Sequence, residues 1–204
     1  MRTMSNIIIS KNIFNDNLMQ VTGISEYMDS AAELVKKLPT GSISDVILAL
    51  EEARLHGKKI VILGNGGSAA TALHFACDLS KGAITTGKPR FKVFTLTDNI
   101  ALLTAWANDN MYRNSFAEQI ENLIDSEDVV IAISASGNSW NVINAMKVAR
   151  AKGARTIALT GSDGGQLKQL ADLVILVPSN NTEQIEDMHL LIEHAMTACL
   201  RELP

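Results

Sequence analysis

Cysteine is scarce in this 204-residue chain, and long runs of one kind are absent. Its two cysteines, Cys77 and Cys199, fall within helical patterns and show no paired spacing, so reduced thiols and a cytoplasmic location follow. No run of Lys or Arg exceeds two residues, and the net charge is −4. With no basic footprint, no nucleic-acid partner is expected. The apolar stretches fall far short of a bilayer span, and the N-terminus offers only Ile7-Ile-Ile9, too short for a signal peptide; no membrane is expected. Low-complexity segments, linkers and repeats are lacking too. With 47% hydrophobic residues, residues 1–204 read as one domain with a substantial core.

What is present is organised around residues 59–79. Lys59–Leu63 reads as a strand, Gly64-Asn-Gly-Gly67 as a turn, and Ser68 as the start of an Ala- and Leu-rich helix. Glycines let backbone approach a ligand, and the first N–H groups of a helix lack internal partners, so this order builds an anion site. The turn fits neither G-x-G-x-x-G nor a P-loop, which disfavours a nucleotide cofactor. Alone it also serves as a plain tight connection. On the helix that follows, His74 and Asp78 are four apart and share a face.

Taken in order, the chain opens with helical patterns at about Asn17–Lys37 and from Ser42 or Ser44 to His56. These two helices exceed what a doubly wound unit requires, and their apolar faces, within about 12–56, are expected to meet another subunit. After the opening strand come Phe91–Leu96, Asp128–Ile133, Thr156–Thr160 and Leu173–Val177 as strands. Helices are expected at Asn99–Ala107, Ser115–Ile124, Ser139–Lys152, Gln166–Ala171 and Thr182–Leu203. The fold class is α/β: a doubly wound, five-stranded parallel sheet in a three-layer, flavodoxin-like sandwich, with its ligand beyond the carboxyl ends of the strands.

The buried strand at 128–133 runs into a second turn, Ser134-Ala-Ser-Gly-Asn-Ser139. Three hydroxyls and a glycine before a helix N-terminus supply donors to phosphate oxygens without Lys or Arg. As plain structure, Ser139 is an N-cap and Ser134 and Ser136 are turn formers. Two such turns at strand ends of one sheet favour the phosphate.

With both turns in place, the chain resembles a sugar isomerase (SIS) domain. More specifically it resembles the phosphoheptose isomerases, which interconvert sedoheptulose 7-phosphate and D-glycero-D-manno-heptose 7-phosphate. The likeness spans nearly the whole chain, including the two leading helices, Asn108-Asp109, the turn at 159–165 and the terminal helix with His189 and His194. It implies a phosphate held by Ser134, Ser136 and Ser139 with Ser68 helping, and a sugar chain touched by Asn65 and Asp109. Gly66, Gly67, Ala135 and Asn138 of the two turns complete the implied substrate site. The family's chemical centre pairs a His and a Glu four apart on the first helix with a Gln and a His eight apart on the last. Those positions are His74, Asp78, Glu186 and His194 here, so the chain departs from the pattern at Asp78 and Glu186. Cys77 stands where a second Glu is common. The resemblance implies one zinc ion per subunit on these four residues, Asp78 and His194 as acid/base groups, Glu186 also facing substrate, and a homotetramer with shared active sites.

Isomerisation through an enediol needs a base beside the carbon, an acid or metal at the carbonyl oxygen, and exclusion of water. Asp78 is shorter than Glu by about 1.5 Å, a displacement large enough to matter for rate. The rival reading is a catalytically silent SIS protein that binds a sugar phosphate or a partner as a regulator; the altered pair Asp78 and Glu186 favours it, and His74, His194 and both phosphate turns favour the enzyme. Of the remaining side chains, His56 reads as a solvated helix end, His189 as core, Cys77 as a small buried apolar residue, and Trp106 and Trp140 as packing or pocket walls.

Overall fold

The computed structural model of the protein describes residues 23–204, and the chain divides into two compact units, Met1–Lys37 and Leu38–Pro204. Of the first, the described part holds helix α1 (Gly23–Val35). Ser30 Oγ donates to the Tyr27 carbonyl at 2.9 Å, and an exposed Lys36–Glu33 ion pair lies just beyond the helix's last turn. The expected beginning of this helix near Asn17 lies outside the described residues, as does Ile7–Ile9.

The second unit opens with α2 (Thr40–Leu55). Its expected caps, Ser42 and Ser44, lie inside the helix, because Pro39 (φ −78°) starts it. A proline's fixed φ and missing N–H cost nothing where the first donors are unpaired anyway. Ser44 Oγ instead donates back to the Thr40 carbonyl at 3.0 Å.

Strands β1 (Lys59–Gly64), β2 (Lys92–Thr95), β3 (Val129–Ser134), β4 (Arg155–Gly161) and β5 (Leu173–Val177) form one parallel sheet in the order β2-β1-β3-β4-β5. The central strands are apolar along their length, as a sheet covered on both faces requires: β3 is buried throughout and β1 from Ile60 onward. In register, Ile60 faces Val129 and Ile131 faces Ile157. Asp128, expected to open β3, caps the strand from outside. Its Oδ1 accepts from Lys59 N at 2.8 Å and its Oδ2 from Asp125 N at 2.9 Å.

The helices are α3 (Gly67–Cys77), continued by a π-helical turn (Asp78–Gly82), then α4 (Ile100–Asn110), α5 (Ser115–Leu123), α6 (Trp140–Ala151), the short α7 (Leu167–Leu170) and α8 (Thr182–Glu202). Helices α2, α3 and α8 pack together on one face of the sheet, with α5 and α6 on the other. Phe116, Ile120, Val142 and Met146 cover Val61, Leu63 and Val130 there. None of the described helices is long and apolar enough to cross a membrane. From β1 the chain crosses to β2 on one side and later returns to β3 on the other, so the sheet's topological switch lies between the carboxyl ends of β1 and β3.

Helix α8 turns Ile185, Met188, His189, Ile192 and Met196 inward. Burial pushes the His189 imidazole down to about 4, the Thr160 backbone acting more weakly in the other direction. Between pH 6.5 and 4 the unfolded chain therefore binds a proton that the folded chain refuses. This part of the stability is complete above about pH 6.5 and is lost as pH falls toward 4, amounting to about 3 kcal/mol. Relative to His189→Leu, the urea midpoint of the natural protein is expected to decline between pH 7.5 and 4.5; parallel curves would contradict the assignment.

Candidate active site

The two glycine- and hydroxyl-rich turns close on each other at the switch point. At the end of β1, Gly64 is compelled by packing, since a Cβ there would lie 2.7 Å from the Ser68 carbonyl oxygen. Gly66 adopts φ 54°, a left-handed conformation that suits glycine. Ala69 N donates to the carbonyls of Asn65 and Gly66, and Ser68 is buried at the helix start. After β3, Gly137 (φ 63°) approaches the Gly164 carbonyl so closely that a Cβ would strike it. Gly137 N closes the turn on the Ser134 carbonyl at 3.0 Å, and Leu167 N donates to the Gly137 carbonyl at 3.1 Å.

Between the turns is a cavity of about 190 Å³, lined by Asn65, Ser68, Ser134, Ala135, Ser136, Ser139, Thr182 and Glu186 together with Ile133. Ser68, Ser139 and Thr182 stand at the N-terminal ends of α3, α6 and α8. Three helix dipoles thus favour an anion here, and no Lys or Arg lines the cavity. Asn65 is held in a side-chain network: its Nδ2 donates to Asn141 Oδ1 at 2.9 Å, and its Oδ1 accepts from Asn141 Nδ2 at 2.8 Å and from the Tyr112 hydroxyl at 2.7 Å.

Two expected substrate residues, Asn138 and Asp109, are not in the lining of this cavity. Asn138 turns its amide into the loop, donating to the Ser136 carbonyl at 2.9 Å and accepting from Gln166 N at 3.2 Å. Asp109, near the end of α4, is exposed and accepts from Asn108 Nδ2 at 2.9 Å; it does not line the cavity. Gly66 and Gly67 shape the turn, and Gly67 is in close contact with the Glu186 carboxylate, which a Cβ would displace.

Farther along the α3–α8 pair is a second group. The donor atoms of His74, Asp78, Glu193 and His194 all lie within 4.8 Å of one another. The two histidine Nε2 atoms are 3.1 Å apart. Asp78 stands 3.9 Å from each of them, and Glu193 Oε1 is 3.9 Å from His74 and 3.6 Å from His194. His74 and Asp78 meet because they are four apart, and Asp78 opens the π-helical turn that α3 runs into; such turns are frequent at functional sites. Glu186, expected in this group, is not among its members. Eight residues of helix rise about 12 Å, so Glu186 sits beside Gly67 at the cavity while His194 sits beside His74.

Glu193 is completely buried, and among the described residues neither of its carboxylate oxygens has a hydrogen-bond partner. Burial, and secondarily the charge of Asp78, push its carboxyl up to about 8. The side chains of His74 and His194 are 46% and 50% exposed, so a small molecule reaches the group from their side. Cys77, read from sequence as buried, is exposed, because the face of α3 that carries Phe75 and Ala72 inward leaves it outside.

A SIS-domain family model matches residues 26–161. The phosphoheptose isomerase of Aliarcobacter butzleri is 48% identical over 145 residues, covering 71% of this chain and 76% of that protein. That of Helicobacter pylori strain P12 is 37% identical over 193 residues, 95% of this chain and 96% of the relative. The chain belongs to the phosphoheptose isomerase family. Among solved structures, the phosphoheptose isomerase of Neisseria gonorrhoeae superposes with a TM-score of 0.83 at 31% identity, covering 91% of this chain and 99% of that one.

Sequence reasoning missed four residues that this member of the family brings to the two sites: Thr182, Asn141, Tyr112 and Glu193. Glu193 left a signal, falling four residues after His189 on the inward stripe of α8, where an unpaired acid is out of place. Asn141 and Tyr112 left none, because their roles depend on a hydrogen-bond network assembled from three distant segments.

Proposed function

We propose that the chain is a phosphosugar isomerase that interconverts sedoheptulose 7-phosphate and D-glycero-D-manno-heptose 7-phosphate, working as a single SIS domain. The observation that carries the choice of substrate is the spacing of the two sites on one pair of helices. Ser68 and His74 are six residues apart on α3, about 9 Å along the axis. In an extended sugar phosphate the path from C2 to phosphorus in a heptose 7-phosphate has seven bonds, about 8 Å at roughly 1.2 Å per bond; a pentose 5-phosphate spans about 6 Å. The heptose places its phosphate among Ser68, Ser134, Ser136 and Ser139 while its C1–C2 end reaches the histidines.

The phosphate is held by hydroxyls and helix N-termini, with Asn65, steadied by Asn141 and Tyr112, and Glu186 turned toward the sugar hydroxyls. Asp78 would remove a proton from C1 of the ketose, and His194, through a ring nitrogen not engaged by the ion, would deliver one to the oxygen on C2, giving the enediol. The hydroxyl proton on O1 is then withdrawn and a proton returned to C2, giving the aldose with no net change in atoms. The donor set suits a divalent ion, and we take zinc to be held by His74, Asp78 and His194. Four donors about 2.0–2.2 Å from zinc stand about 3.3–3.6 Å apart; here the two histidine nitrogens are 3.1 Å apart and lie 3.6 to 3.9 Å from the nearest carboxylate oxygens, in a group whose donor atoms all fall within 4.8 Å. When bound, the ion supplies Lewis acidity toward the sugar's carbonyl oxygen. The test is turnover of sedoheptulose 7-phosphate in D2O by zinc-loaded protein. Deuterium at C2 of the aldose is expected, and activity should fall with chelator; no aldose and no incorporation would overturn the proposal.

We further infer a cytoplasmic homotetramer. Helix α4 has the apolar sequence Ile100-Ala-Leu-Leu-Thr-Ala-Trp106, yet none of its residues is buried. Ile100 is 68% exposed, and Leu48 and Leu55 of α2 are exposed as well, a surface that asks for a partner. Sedimentation at micromolar concentration is expected to give four chains; an active monomer would contradict it.

A further inference from the structure

We propose that Glu193, two helical turns beyond the expected Glu186, is the fourth ligand of the metal centre and its buried anionic one. This rests on reading the His74–Asp78–His194 group as a metal site. Glu193 has no exposed surface, and among the described residues its two oxygens have no hydrogen-bond partner. A carboxylate in such a position is strongly disfavoured unless a cation meets it. The nearest cation-binding atoms are the Nε2 atoms of His74 and His194, at 3.9 and 3.6 Å. These are the edge lengths of a ligand shell and too long for hydrogen bonds. The facing edge of the group is the half-exposed histidine pair, so Glu193 closes the site from inside while substrate enters from outside. Glu186, by contrast, meets Gly67 and lines the anion cavity. Two carboxylates with two histidines also make the bound ion's environment formally neutral, which favours retention of the metal.

The two glutamates are distinguished by metal titration of chelator-treated full-length protein, using Co2+ absorption and Zn2+ calorimetry, with melting temperature as a second readout. The natural protein is expected to take up close to one ion per chain. Glu193→Gln is expected to bind at least a hundredfold more weakly, Glu186→Gln within a few fold of the natural protein, and His74→Ala as poorly as Glu193→Gln. A structural role would not produce the second signature: without metal, Glu193→Gln should melt higher than the natural protein, because a buried unpaired acid has gone, and its zinc-induced rise in melting temperature should shrink. Should the Gln variant fail to fold, Glu193→Met is subjected to the same two measurements. If His74→Ala loses the ion while Glu193→Gln keeps it, Glu193 is not a ligand and the metal reading stands. If the natural protein takes up no ion, both fail. A lower melting temperature for metal-free Glu193→Gln together with natural affinity assigns Glu193 to packing and overturns the proposal.

Discussion

Asp78→Ala and His194→Ala are each expected to lower kcat for sedoheptulose 7-phosphate by about 100- to 10,000-fold, the usual contribution of a positioned acid or base. KM should change far less, because the proposed contacts to the phosphate and most of the sugar lie at the other end of the α3–α8 pair. The two groups face each other across 3.9 Å, so their losses are not expected to add: the double variant should be little worse than the poorer single one. Asp78→Glu is the informative companion. If the shorter acid is compensated by the π-helical turn that it opens, lengthening it pushes the carboxylate past its working position and lowers kcat. If it raises kcat instead, the chain works with a base set back from its substrate. Stopped-flow or coupled assays over a range of substrate concentration separate these outcomes, and unaltered kcat in both alanine variants would exclude Asp78 and His194 from the proton transfers.

The combined change Ser134→Ala, Ser136→Ala and Ser139→Ala is expected to act on the opposite parameter. A hydrogen bond to a charged acceptor is worth about 1.5–3 kcal/mol, so three lost hydroxyls weaken the sugar phosphate by about a thousandfold even at the lower end. The fold should survive. Ser134 Oγ and Ser139 Oγ meet each other at 3.4 Å and Ser136 Oγ accepts from Asn138 N at 3.2 Å, but the turn is also held by backbone bonds from Gly137, Gly161 and Leu167. Calorimetry with the substrate, and with inorganic phosphate as a probe of the anion site alone, should show parallel losses. Unchanged binding of both would remove the phosphate from this turn.

The fold was legible because its signals are local. A buried parallel strand declares itself as an unbroken apolar run, as at Val129–Ile133, and Gly64, Gly66 and Gly137 stand where the backbone demands them. Helix starts were less legible at Pro39, where a proline replaces the side-chain cap that Ser42 and Ser44 suggested. In the site, His74 with Asp78 could be read from a spacing of four on one helix. Glu193 and Glu186 could not be told apart in the same way. They are seven residues apart, hence on nearly one face of α8, and only the packing of α8 along α3 decides which reaches the histidines and which reaches the glycine turn. Asp109 and Asn138 mark the same limit from the other side. The family resemblance nominated Asp109 and the turn motif Asn138, whereas within this single chain the Asn138 amide oxygen accepts from Gln166 N and the Asp109 carboxylate lies on an exposed helix end.

The three glycines at the end of β1 and in the turn after it are not equally free to mutate, and this bears on how relatives of this enzyme could diverge. At Gly64 a side chain meets the backbone of Ser68, which cannot retreat without dismantling the helix start. At Gly66 there is open space, but the backbone lies at φ 54°, so most replacements are strained. Gly67 alone collides only with the far end of one flexible side chain, the carboxylate of Glu186. An alanine there costs the fold little and moves the Glu186 carboxylate, which the proposed function turns toward the sugar, to a new position. Drift in substrate preference therefore has one cheap route through this turn, and along it positions 67 and 186 are expected to change together.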